Sequence, residues 1–165
     1  MIMNESAQKG RKKPIGRILF SLLVTVGIGS LGGFVARNGF ARYKTLDLPP
    51  FAAPGWIFPI VWTVLYLIMS IGLYRLTASG SNEKTKNALT IFVVYMVLNF
   101  LWPTVFFDKG AFFVALLLAC AQLILLGVAA WAFYPISKTA ALTLIPTAAW
   151  TVFALYLNTG VALMN

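Results

Sequence analysis

Five stretches of this chain, 18–36, 56–76, 88–107, 111–134 and 139–164, are apolar and each is long enough to cross a bilayer. A spanning helix needs about 20 mostly apolar residues. The one charged residue within them is Arg75, next to the end of its run, where its head group can snorkel to the interface. Hydrocarbon offers backbone N–H and C=O groups no water to bond, so runs of this length fold as helices. The expected fold is therefore an all-α integral membrane protein, a bundle of five transmembrane helices over 18–165. Composition agrees. Of 165 residues, 60% are hydrophobic and 10% charged, whereas about a quarter are charged in a soluble domain.

The breaks between spans are readable. Residues 37–55 form the longest loop and hold Pro49, Pro50, Pro54 and Gly55. Residues 77–87 are rich in Ser, Asn and Lys, Asp108-Lys109-Gly110 is a tight polar turn, and Pro135 to Lys138 separates the last two spans. Residues 1–17 form a basic N-terminal extension, expected to be flexible. Its Lys9, Arg11, Lys12 and Lys13, followed by an apolar run and Ser30-Leu31-Gly32, resemble a signal peptide. The run continues to full spanning length, which favours a span.

There are 13 Lys+Arg against 4 Asp+Glu, a formal net charge of +9. These cations lie between spans, the pattern of membrane topology, so no nucleic acid partner is expected. With alternating spans, Lys9, Arg11, Lys12, Lys13, Arg17, Arg75, Lys84, Lys86 and Lys138 share one side, and Arg37, Arg42, Lys44 and Lys109 the other. The excess places the N-terminus in the cytoplasm of a cell membrane and the loop 37–55 outside.

Three spans carry aromatic or polar stripes at helical spacing. The second has Trp62 and Tyr66. The third has Tyr95, Asn99, Trp102 and Phe106. The fifth has Thr147, Trp150, Ala154, Leu157 and Asn158. Residues three or four apart share a face. At 1.5 Å rise per residue, Trp62 and Asn158 lie about 9 Å below the outer ends of their helices, and Asn99 about 12 Å. These side chains are expected to meet in the outer half of the bundle, beneath the loop. Asn99 and Asn158 either bridge helices or line a cavity. Trp56, Trp131 and Tyr134 fit an interfacial belt, whereas Trp62, Trp102 and Trp150 lie deeper. Pro103 and Pro146 fall within the third and fifth spans, where they either kink the helix and open space or are inert. Ser21, Thr25, Gly29 and Gly33 form a ridge of small residues on the first span, for packing within the monomer or between two copies.

The absences also constrain function. The chain has no histidine and a single cysteine, Cys120, inside an apolar run. No Asp or Glu lies within a span, no phosphate-binding loop is present, and no metal site is expected. Indoles, amides and aliphatic groups suit a flat hydrophobic ligand held by stacking and shape. Without histidine, recognition of haem would fall on the macrocycle more than on the iron.

Three ordered motifs carry a family resemblance. The first is Pro49-Pro50-Phe51-Ala52-Ala53-Pro54-Gly55-Trp56, continuing through Phe58-Pro59-Ile60-Val61-Trp62 to Leu65-Tyr66. The second is Leu98-Asn99-Phe100-Leu101-Trp102-Pro103 with Phe106-Phe107. The third is Pro146-Thr147-Ala148-Ala149-Trp150 with Phe153-Ala154 and Leu157-Asn158. In these the chain resembles the TspO family, also called translocator protein, peripheral-type benzodiazepine receptor or tryptophan-rich sensory protein. The resemblance implies five helices with the outer loop, Pro49, Pro50, Phe51, Pro54, Gly55 and Trp56 included, as a lid over a ligand pocket. It implies binding of porphyrins, haem or other hydrophobic small molecules, with no required cofactor, at Trp62, Asn99, Trp102, Trp150, Ala154 and Leu157, to which the stripe on the second span adds Tyr66. It also implies a homodimer. A membrane receptor for porphyrins, linked to tetrapyrrole or stress regulation, is the function expected. The alternatives are light-dependent porphyrin degradation at Trp62 and Trp150, and facilitated transport of the ligand. The chain departs from the pattern at Leu118, where many members have aspartate, and at Thr159 and Leu163, where the sterol-binding members have tyrosine and a basic residue.

Overall fold

The computed structural model describes residues 14–165. Five helices are long and apolar enough to cross a membrane: α1 (Pro14–Gly39), α2 (Ile57–Ala78), α3 (Glu83–Asp108), α4 (Phe112–Phe133) and α5 (Lys138–Met164). The chain is an all-helical, multi-pass membrane protein, with no strand among the described residues. Most of the basic extension lies outside the described residues, but Pro14 to Arg17 form the first turn of α1.

The helices extend beyond their apolar runs where polar residues cap them. The Asn82 side chain accepts from the Thr85 backbone N–H at 2.9 Å, and Glu83 in the first turn complements the helix dipole. Thus α3 begins five residues before its hydrophobic stretch. Ser137 caps α5 in the same manner, accepting from the Ala140 N–H at 3.3 Å. The α5 helix is interrupted between Leu142 and Ile145. Pro146 therefore occupies the first turn of its second segment rather than a helix interior. There its missing N–H costs nothing, and the interruption lies just before it, where a proline breaks a helix.

Packing places the helices in a ring of order α1, α2, α5, α4, α3. The closest approach of α2 to α5 is at the end away from the long loop, through Lys138–Leu142. Gly72 allows it, since a Cβ there would strike Thr143. Direct contact between α2 and α3 is slight, and α1 lies against both. Two glycines make that seat. A Cβ on Gly29 would fall into the Tyr66 ring of α2, and one on Gly32 would lie 3.0 Å from the Phe100 carbonyl oxygen of α3. Of the ridge, Ser21, Thr25 and Gly29 are buried and pack within the monomer, whereas Gly33 is half-buried with nothing within 4 Å of a Cβ. The Ser21 and Thr25 hydroxyls donate to the carbonyls of Arg17 and Ser21 in their own helix, at 2.8 and 2.9 Å.

The interior divides into two cores. Met69, Leu73, Phe92, Tyr95, Leu126 and Phe133 fill the end away from the loop. Phe58, Trp102, Phe106, Phe107, Leu157 and Val161 fill the loop end. The loop closes that end. A helical turn, Phe40–Tyr43, follows α1 directly, so the connecting segment is shorter than 37–55. Tyr43 donates to the Ala53 carbonyl at 2.8 Å, and Tyr156 of α5 donates to Pro50 at 2.7 Å. Asn165 exchanges two 3.0 Å bonds with the Asp47 backbone, and Arg42 donates to the Asp108 carbonyl at 2.7 Å. Gly160 makes room for Pro49. Phe51, at φ 61°, is 93% exposed, and Trp56 also points outward.

Candidate functional site

A cavity of about 200 Å³ opens where α2 and α3 diverge under α1. Its walls are Gly29, Ser30, Gly33 and Phe34 of α1, Phe58, Pro59, Trp62, Thr63 and Tyr66 of α2, and Asn99, Trp102, Pro103 and Phe107 of α3. No charged side chain is among them. The deep residues Gly29, Tyr66, Asn99 and Trp102 are buried, whereas Ser30, Phe34, Pro59 and Thr63 are exposed on the outer surface of the bundle. The mouth therefore opens sideways between α1 and α2. A shallower concavity beside the loop is lined by Tyr43, Lys44, Leu48, Pro54, Gly55, Trp56 and Pro59.

Two stacked aromatic pairs build the walls, Trp62 and Tyr66 both on the lining and Trp102 on it with the buried Phe106 off it. The Trp62 and Tyr66 rings lie 5.3 Å apart at 26°, and those of Trp102 and Phe106 4.9 Å apart at 14°. One helical turn separates the members of each pair. Both pairs are held by amides. The Tyr66 hydroxyl donates to Asn99 Oδ1 at 2.7 Å, Asn99 Nδ2 donates to Gln122 Oε1 at 3.3 Å, and Gln122 Nε2 donates to the Leu98 carbonyl at 3.4 Å. The Trp102 indole N–H donates to Asn158 Oδ1 at 3.3 Å, and Asn158 Nδ2 donates to the Phe112 carbonyl at 2.9 Å. Both asparagines thus bridge helices, and Asn99 lines the cavity as well. Pro103 has no N–H for the Asn99 carbonyl. It ends the regular part of α3, and a wider π-helical turn, Thr104–Asp108, follows at the cavity wall.

Of the residues expected to form a site, Trp62, Tyr66, Asn99 and Trp102 come together on this cavity. Trp150, Ala154 and Leu157 do not line it. The Trp150 ring stands edge-on to Phe58, 6.0 Å away, and 5.1 Å from Phe153. Its indole N–H is buried with no partner among the described residues. Ala154 and Leu157 are buried. The α1 side of the cavity and Gln122 were missed by sequence reasoning. Gly29 and Gly33 have no side chain to mark a lining position, but Gln122 was a signal, an amide in mid-span that required a partner.

The described residues hold no cluster of His, Cys, Asp and Glu suited to a metal. Next to the cavity, Tyr43 packs edge-on to Phe58 and Phe107, with centroids 5.5 and 5.8 Å away. Burial pushes its phenol from the usual 10.0 up to about 12.

Five apolar helices around an uncharged aromatic cavity, capped by a tethered loop, define a multi-pass membrane protein with an internal hydrophobic site. The TspO/MBR family profile matches residues 20–164, and the chain belongs to that family. It is 32% identical over 155 residues to tryptophan-rich protein TspO of Chlorobaculum tepidum, covering 93% of this chain and 98% of that protein. It is 34% identical over 145 residues to the translocator protein of Bos taurus, covering 84% and 83%. A tryptophan-rich sensory protein of Cereibacter sphaeroides is 29% identical over 116 residues, covering 70% and 72%.

Proposed function

We propose that this protein is a membrane receptor for porphyrins and related flat hydrophobic ligands, acting in tetrapyrrole or stress regulation. The observation that carries the proposal is the cavity wall. Trp62 stacked on Tyr66, beside Trp102 backed by the buried Phe106, presents flat aromatic surface and no charge. Such a wall selects planar apolar rings by stacking and area. A volume of about 200 Å³ is below the roughly 300–1,000 Å³ usual for ligand pockets. A macrocycle therefore has to part α1 from α2 at the lateral mouth, or displace Phe58 towards Trp150.

Titration of the purified protein with protoporphyrin IX in the dark tests this, read by quenching of tryptophan fluorescence. Saturable quenching that weakens in Trp62→Ala supports the reading, and no saturable binding in detergent or lipid discs refutes it. Illuminating the complex addresses degradation. Only loss of porphyrin in light, with a defined product and more than one turnover, favours an enzyme. The geometry favours binding, because Trp62 is on the wall whereas Trp150 stands behind Phe58. Flux of porphyrin into sealed vesicles separates a transporter from both.

The basic residues support an N-terminus in the cytoplasm of a cell membrane. In a variant lacking Cys120, a cysteine at Lys44 should react with an impermeant thiol reagent in intact cells, and one at Ser81 should not. The reverse pattern would invert the orientation. A homodimer also belongs to the proposal, formed by a surface other than the buried ridge of α1.

A further inference from the structure

The lateral mouth has one charged feature. Arg37, at the loop end of α1, lies over the Phe34 ring with its guanidinium carbon 4.0 Å from the centroid. It also donates to the Phe34 carbonyl at 3.2 Å. Phe34 is part of the cavity wall and is 60% exposed. The guanidinium is thus stacked on the rim, exposed, and forms no ion pair among the described residues. Two neighbouring cations are placed differently. Arg42 is bound by the Asp108 carbonyl, and Lys44 lines the separate concavity beside the loop.

The cavity floor cannot take a negative charge. Its polar groups, Tyr66 and Asn99, bond each other and Gln122, and no cation faces them from the walls. An anionic group on a ligand is driven to the mouth, where Arg37 offers a planar fork of donors matched to a carboxylate. We propose that Arg37 is the anion anchor of this site, selecting flat aromatic ligands that carry a carboxylate at one edge. The ring system lies against Trp62 and Trp102, and the acid stays at the rim between α1 and α2. This rests on the aromatic-ligand reading above and adds an acid requirement to it.

The test compares protoporphyrin IX with its dimethyl ester in lipid discs of neutral phosphatidylcholine. Wild type should bind the acid roughly three- to fivefold more tightly than the ester, the scale of one exposed ion pair. Arg37→Gln should lose that preference while still binding the ester. Arg37→Lys should keep part of it, and Lys109→Gln, which removes a charge at the same end, should keep all of it. The preference should shrink as salt rises in wild type and be flat in Arg37→Gln. An equal affinity of wild type for acid and ester overturns the anchor but leaves the aromatic site standing. So does an acid preference that survives in Arg37→Gln. If neither compound binds wild type, the aromatic site itself is refuted. Discs containing phosphatidylglycerol distinguish ligand from lipid. An unchanged preference supports the proposal, and its disappearance assigns Arg37 to a lipid phosphate instead.

Discussion

The amide at Asn99 ties three helices together, and its removal gives a graded test of the site. Asn99→Ala deletes two side-chain bonds, the 2.7 Å bond from Tyr66 and the 3.3 Å bond to Gln122. Interhelical bonds in membranes average about 0.6 kcal/mol and reach about 1.7. The short bond belongs near the upper figure and the long one near the mean or below, giving a loss of about 1–2.5 kcal/mol. Tyr66→Phe keeps the stack on Trp62 and loses only the short bond, about 0.6–1.7 kcal/mol. Gln122→Leu loses two bonds of 3.3 and 3.4 Å, and at that length should cost about 0.6 kcal/mol or less. Reversible unfolding in mixed micelles, with the double mutant completing the Tyr66–Asn99 cycle, gives each number. A coupling of about 0.5–1.5 kcal/mol between Tyr66 and Asn99 is expected. Additive losses at these two residues, or a Gln122→Leu penalty larger than that of Tyr66→Phe, would falsify the network as drawn.

Three other outcomes follow from the same geometry. Gly29→Leu drives a side chain into the Tyr66 ring, so it should lower thermal stability sharply without changing the oligomeric state in detergent; loss of a dimer with stability intact would return the ridge to an intermolecular role. Trp150→Phe should preserve the fold and weaken porphyrin binding by about threefold or less, because a large ring still supports Phe58, whereas Trp131→Phe, 78% exposed on the outside of the bundle, should leave affinity unchanged. The Tyr43 phenol, raised by burial to about 12, keeps its proton while an opened loop would release it from pH 10 upward. Closure is therefore fully stable below pH 10 and weakens as pH climbs to about 12. Labelling of a cysteine at Lys44 should accelerate in that window, and Tyr43→Phe should abolish the pH dependence.

The number and order of helices were legible because five runs are long and apolar, with Arg75 near one end their single charge, and a bilayer leaves such runs one way to satisfy their backbone. Their ends were less legible. A helix continues past hydrocarbon wherever a cap satisfies its first N–H groups, which is why α3 begins at Glu83, capped by Asn82, and not at the start of its apolar run. The break between Leu142 and Ile145 falls where Pro146 has no N–H for the Leu142 carbonyl. Gly72 of α2 faces Thr143 there; the proline was legible, but its effect, a break one turn before it, was not separable from an inert proline by periodicity alone.

The site divides along the same line. Trp62, Tyr66, Asn99 and Trp102 were readable because spacing along one helix fixes a face and rise per residue fixes a depth. Which helices then confront each other is a property of the ring. Gly29 and Gly32 let α1 settle over the gap between α2 and α3, so the cavity acquires an α1 wall that no stripe of large side chains could announce. The same two glycines explain the direction of the mouth. A helix seated by two contacts on one side leaves its other edge exposed, at Ser30 and Phe34. The cavity therefore opens sideways between α1, the helix that carries Arg37 at its loop end, and α2, so on the proposed function a ligand dissolved in the membrane would reach the stacked rings without crossing the tethered loop.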